Sequence, residues 1–224
     1  MKRLKIIAVT LIFIVGCANS AERKSILDGS TCELPCWFGI IVGETKKEEL
    51  LKIIKNIPNL DPQSVTIIDE PYNEYSVFDG AIYFTLGQEN GYKDESITVE
   101  VSIINSTVAE ILFRGNIGVN LNQILELLAK PEFVSLTFNH WGTYDVDLIN
   151  SEFGTRFSFE VEDEYSKIKP STELGLLEIY QIDIYYDLLN SGILTSGTYN
   201  PEKINYFPWV GYGEIKDKYW PPVK

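Results

Sequence analysis

The residues able to do chemistry in this chain are carboxylates at alternating positions, a close pair of cysteines and one histidine. Asp145 and Asp147 lie in Tyr144-Asp145-Val146-Asp147-Leu148, and Glu160 and Glu162 repeat that spacing of two. In an extended strand each pair falls on one face. Two carboxylates about 5 to 9 Å apart across a cleft would suit hydrolysis of a glycosidic bond. The plainer expectation is the solvent side of strands whose other side is core, formed by Tyr144, Val146, Leu148, Phe159 and Val161. His140 is the one histidine and no G-x-S-x-G frames a serine, so no nucleophile–base pair is expected. Glu162-Asp163-Glu164 lacks the spaced oxygens and glycine of a calcium loop. No catalytic residue, metal ligand or cofactor is therefore assigned.

Cys32 and Cys36 are separated by Glu33, Leu34 and Pro35. In an oxidising compartment, thiols this close are expected to form a local disulfide. So short a loop stabilises by about 2 kcal/mol in the chain-entropy picture. A zinc half-site would need a second pair of ligands, which the sequence lacks, and the spacing is not the C-x-x-C of a redox centre.

The third cysteine ends a different pattern. Lys2, Arg3 and Lys5 precede an apolar run from Ile6 to Val15, interrupted only by Thr10. This reads as a secretion signal, too short to span a bilayer core of about 30 Å. It closes on Ile14-Val15-Gly16-Cys17, which resembles the lipobox of bacterial lipoproteins. The resemblance implies cleavage between Gly16 and Cys17 and a diacylglyceryl group on the Cys17 thiol. The competing expectation is an ordinary signal peptide cut within Ala18-Asn19-Ser20-Ala21. Several acyl chains on one cysteine hold firmly where one alone is marginal. The expected location is the outer face of the cell membrane or the outer membrane. Ala18, where an aspartate commonly retains such proteins in the inner membrane, permits the latter.

Residues 1–16 hold three of the 19 Lys and Arg and none of the 32 Asp and Glu, which leaves 16 cations against 32 anions, or −16. Such a chain repels phosphate backbones, and nucleic acid is excluded as a partner. With 45% apolar residues, the remaining length suffices for one good core or two small ones. Thirteen Tyr, 11 Phe and 4 Trp favour strands.

The elements that must position these groups follow from periodicity. Residues 17–31 read as a tether. Thr45 and Glu48 have capping-box spacing ahead of the stripe Leu50, Leu51, Ile53, Ile54 and Ile57, which predicts a helix over 45–57 stopped by Pro58. Strands are expected at 65–68, 75–78, 81–86, 97–103 and 108–113, with Asp79-Gly80 as a type I′ hairpin turn and Asn105-Ser106 as another turn. Asn120 and Gln123 offer a second cap before Leu121, Ile124, Leu125, Leu127 and Leu128. Strands at 133–138, 144–149, 155–161 and 178–186 follow. Helix-then-strands thus occurs twice about 75 residues apart. The expected fold is α+β, a tandem repeat of a helix packed on an antiparallel β-sheet, with units at 32–115 and 116–190. Residues 191–224 are read as an aromatic tail packing on the sheet.

Pro35-Cys36-Trp37-Phe38-Gly39-Ile40-Ile41-Val42-Gly43-Glu44-Thr45 resembles the C-W-x-G-I-x-x-G-x-T signature of uncharacterised bacterial lipoproteins. Their second segment, T-L-x-x-x-L-x-x-L-G-x-P, is matched by residues 120–131, with Asn120 for the leading Thr and Ala129 for the Gly. The G-x-T-x-x-E-L pattern is also similar to the small lipoprotein subunit of the barrel-assembly machinery, and the tandem order to β-lactamase inhibitory protein. These resemblances imply a helix on an antiparallel sheet used to bind other proteins, with no active site to carry over.

The functional expectation is a lipid-anchored, non-catalytic protein-binding or envelope-assembly module, held to the membrane through Cys17 and contacting another envelope protein. Trp37 is expected to plug the first sheet beside the disulfide, with a surface anchor as its sharper alternative. Tyr206, Trp209, Tyr212 and Trp220 are expected to cover the sheet or to offer an aromatic platform. The alternative is a carbohydrate-binding or carbohydrate-cleaving protein using the acidic strand faces and those aromatics.

Overall fold

The computed structural model of the protein describes residues 25–27, 30, 32, 34, 36–71, 77–87, 96–128, 130–138, 141–181 and 205–219. Cys17, His140 and Trp220, with the strand expectations at 75–76 and 182–186, lie outside them.

Among the described residues, nine strands form one antiparallel sheet. In chain order they are β3 (Thr66–Ile68), β4 (Gly80–Leu86), β5 (Ile97–Ile104), β6 (Thr107–Arg114), β7 (Phe133–Phe138), β8 (Tyr144–Asn150), β9 (Thr155–Val161), β11 (Leu176–Tyr180) and β12 (Asn205–Pro208). Their order across the sheet is β12-β7-β8-β9-β11-β6-β5-β4-β3. Two small pairs stand apart, β1 (Cys36–Trp37) with β2 (Ile40–Ile41), and β10 (Lys167–Ile168) with β13 (Gly213–Glu214).

This corrects the expected tandem repeat of helix-on-sheet units. The described helices are short: α1 (Lys47–Ile54), α2 (Leu121–Leu127) and α3 (Ile215–Lys218). The chain is mainly β, and its sheet runs unbroken through both expected units. β6 and β11 pair over Arg114↔Leu176 to Glu110↔Tyr180, which merges both stretches into one hydrogen-bonded layer. Sequence order shows which strands follow a helix; it does not show pairing between residues more than sixty positions apart.

The strands alternate as half-buried strands must. One face carries Ile82, Phe84, Val99, Val101, Ile111, Phe113, Leu177, Ile179, Phe157, Val146, Leu148 and Val134, all within one buried cluster. Leu50 and Ile54 of α1, Leu121 and Ile124 of α2, and Ile215 of α3 join that cluster, so the helices cover this apolar face. The indole of Trp37 is wholly buried there, 4.7 Å from the Phe113 ring and 6.3 Å from Phe84. Its Nε1–H donates to the Ile26 carbonyl at 2.9 Å. Cys32 and Cys36 form the expected disulfide beside it.

Two local expectations fail for identifiable reasons. Thr45 does not cap α1: its Oγ1 accepts instead from the Ile41 amide at 2.8 Å, and the helix begins two residues later with no side-chain cap on Lys46. Asp79-Gly80 is not a hairpin turn, because Gly80 is the first residue of β4 and that strand pairs with β3. A Cβ on Gly80 would stand 2.4 Å from the Ile68 carbonyl oxygen, so this glycine serves close strand approach. Asn105-Ser106 does turn β5 into β6, with both residues at positive φ. The cap of α2 also forms, Asn120 Oδ1 accepting from the Gln123 amide at 3.0 Å and Gln123 Oε1 from the Asn120 amide at 2.9 Å.

Candidate functional site

The second face of the sheet holds the chemistry. Asp145 and Asp147 of β8 sit opposite Glu160 and Ser158 of β9, and Arg156 of β9 sits opposite Glu178 of β11. Glu110 of β6 is flanked by Tyr180 on one side and Ser102 of β5 on the other. Because each residue is on the same parity of its strand, cross-strand pairing gathers them into one polar band over five strands.

Much of that band is buried, contrary to the expectation that the acidic side of these strands is wet. Asp147 is 4% exposed, Glu178 2%, and Glu110 and Arg156 6% each. Buried charge requires partners. Arg156 Nη2 donates to Glu178 Oε1 at 2.6 Å, and Nε lies 2.5 Å from Oε2, an ionic contact off the line of a hydrogen bond. The Tyr180 hydroxyl donates to Glu178 Oε2 at 2.7 Å, and the Ser102 hydroxyl to Glu110 Oε2 at 2.8 Å. Nη1 of Arg156 has no hydrogen-bond partner among the described residues.

Burial, then the nearby Glu178 carboxylate, push the Glu110 carboxyl up to about 8, so it is protonated at neutral pH. Asp147 is also raised by burial, against the opposing pull of Arg156. Burial works against the Arg156 charge, but Glu178 and Asp147 outweigh it and raise its pKa. Burial, followed by Glu110 and Glu178, raises Tyr180.

Beside the band a cleft of about 260 Å³ is lined by Asp145, Asp147, Arg156, Ser158, Phe159, Glu160, Gly175 and Leu176. Three of the four carboxylates singled out by spacing therefore meet in one place. Glu162 does not join them; it lines a neighbouring depression with Glu160, Lys167 and Lys169. Glu160 is held from the side by the Thr143 hydroxyl. Among the described residues, no group of three His, Cys, Asp or Glu is placed to hold a metal ion.

Trp37 is fully buried and offers no surface. Trp209 stacks on Tyr219 with ring centroids 6.0 Å apart, and Tyr212 meets Trp209 edge-on at 5.9 Å. Tyr219 is fully buried and its hydroxyl donates to the Gly211 carbonyl at 2.7 Å. Tyr206 enters β12, the edge strand beside β7; its side chain is outside the described residues.

Arg156, Glu110, Glu178 and Tyr180 were not singled out from the sequence. A signal was present: Glu110 sits within Val108-Ala109-Glu110-Ile111-Leu112-Phe113, and Glu178 within Leu176-Leu177-Glu178-Ile179-Tyr180. A lone carboxylate inside an apolar strand is either exposed at an edge or buried with a partner. No known protein family matches the chain, and no match is found among curated proteins or solved structures.

Proposed function

We propose that the protein is an exported, lipid-anchored module that binds another envelope protein on the second face of its sheet without transforming it. The observation that carries this reading is the cleft beside Arg156. Its carboxylates, Asp145, Asp147 and Glu160, share the cleft with a guanidinium already committed to Glu178, an arrangement that suits a fixed recognition surface. A cleft rich in acceptors, on a chain with twice as many acids as bases after residue 16, complements a basic partner segment. The lipobox-like run ending at Cys17 supports the anchored location.

Site-specific photocrosslinking in the native envelope tests this. A crosslinker at exposed Glu160 or Arg114, both on the second face, should capture one discrete partner, whereas one at Lys52 on α1 should not. Raised salt should weaken the capture. Equal capture from all three positions, or none from any, contradicts the reading.

The same cleft favours a second reading, a carbohydrate ligand or substrate, because it brings Asp145, Asp147 and Glu160 together. Binding of soluble oligosaccharides that is abolished by Asp145→Asn with Glu160→Gln, and is insensitive to salt, would favour it over a protein partner.

A further inference from the structure

We propose that Phe138 and Trp141, at the end of the paired strands β7 and β8, insert their aromatic side chains into the lipid surface to which the chain is tethered, an inference that rests on the lipid-anchored reading above. Trp141 is 77% exposed and Phe138 is 58% exposed, with the Phe138 ring 5.0 Å from that of Tyr144. Large aromatics grouped at an exposed tip mark a contact surface, and Trp and Tyr favour the boundary between headgroups and acyl chains.

The position of the tip identifies the occupant. Across the sheet, Ser135, Asp147, Ser158, Leu176 and Arg114 lie on one line of cross-strand partners. β7 and β8 continue three further residue pairs beyond that line, to Phe138↔Tyr144. These paired strands therefore reach about 10 Å past the end of β6. The chain enters the fold at this same end, because the Ile26 amide donates to the carbonyl of Ile117, just past β6. Three strand spacings, about 14 Å, separate β6 from β8. From Cys17 to Ser25 there are eight peptide steps, a reach of at most about 28 Å. A lipid on Cys17 and the end of these strands can thus meet one flat surface together.

Charge dictates the kind of surface. Glu160 is bonded to Thr143, and Glu164 and Asp163 act electrostatically on Tyr144, so acids surround the end of these strands. These acids oppose an anionic bilayer, so insertion is apolar and suits zwitterionic headgroups.

The mature acylated protein, reconstituted into phosphatidylcholine vesicles with brominated acyl chains, tests the proposal. Bromine should remove about a quarter of the tryptophan emission, the share of one tryptophan in four, and leave the emission of Trp141→Phe unchanged. Mixing in phosphatidylglycerol should lessen that quenching, and salt should restore it. Equal quenching in both proteins, or none in either, on material whose intact mass shows the acyl group, overturns insertion and assigns the tip to a protein partner, while the anchor stands. A mass without the acyl group overturns the anchor and this inference with it.

Discussion

Arg156 and Glu178 face each other across β9 and β11, joined by a 2.6 Å hydrogen bond from Nη2 to Oε1 and a 2.5 Å contact from Nε to Oε2. Both side chains are more than nine-tenths buried. Removing the cation alone would leave Glu178 and Asp147 in a low-dielectric site without their counter-charge. Arg156→Met should therefore cost about 3 to 5 kcal/mol of stability, measured by urea denaturation. Adding Glu178→Leu should recover most of the loss, since an apolar pair of similar volume replaces a buried ion pair at little net cost.

Glu110 makes stability depend on pH. Its folded pKa of about 8 stands above the ordinary 4.5, so the proton is bound more tightly in the folded state. The contribution is complete below about 4.5, where both states are protonated. It is lost as pH rises through 8, because the unfolded chain releases its proton first. Asp147, also raised, acts in the same direction. Glu110→Gln should flatten the thermal-stability profile between pH 5 and 8 and stabilise the protein at pH 8 by on the order of a few kcal/mol.

Trp37 is the largest fully buried side chain, closing the core between Phe84 and Phe113. Trp37→Ala leaves a cavity and an unmet Ile26 carbonyl, and should cost about 3 to 5 kcal/mol. Chemical denaturation reads the loss directly.

The two helix starts, which look alike in sequence, should respond differently. Asn120→Ala removes a working cap and should cost about 1 kcal/mol. A Glu48→Ala change at the other helix should leave stability within about 0.5 kcal/mol, because its capping box does not form. Parallel thermal melts of the two variants settle the contrast.

Strands were legible wherever apolar and polar residues alternate, as in β5, β8 and β9, because burial of one face writes a period of two into the sequence. The cap at Asn120 and the turn at Asn105-Ser106 were legible for local reasons, each needing only its own few residues. What was not legible is non-local. Thr45 and Glu48 carry a capping box, but the Thr45 hydroxyl is drawn away to Ile41, a competition invisible without the β1–β2 hairpin. Gly80 reads as a turn glycine until Ile68 is seen against it. The union of β6 with β11 depends on contacts between distant segments, so the single sheet was missed, and the buried band that crosses that seam was missed with it. The alternation of Asp145 with Asp147 and of Glu160 with Glu162 is visible in the sequence; that Arg156 lines the same cleft as Asp145, Asp147 and Glu160 is not.

The proposed location, outside the cytoplasm on a lipid tether, is tested most directly by intact-mass analysis of the protein from its own envelope. The predicted result is a chain beginning at Cys17 whose mass exceeds the peptide's by a diacylglyceryl group. A mature chain starting elsewhere, or a Cys17 sulfur carrying no acyl chains, contradicts it.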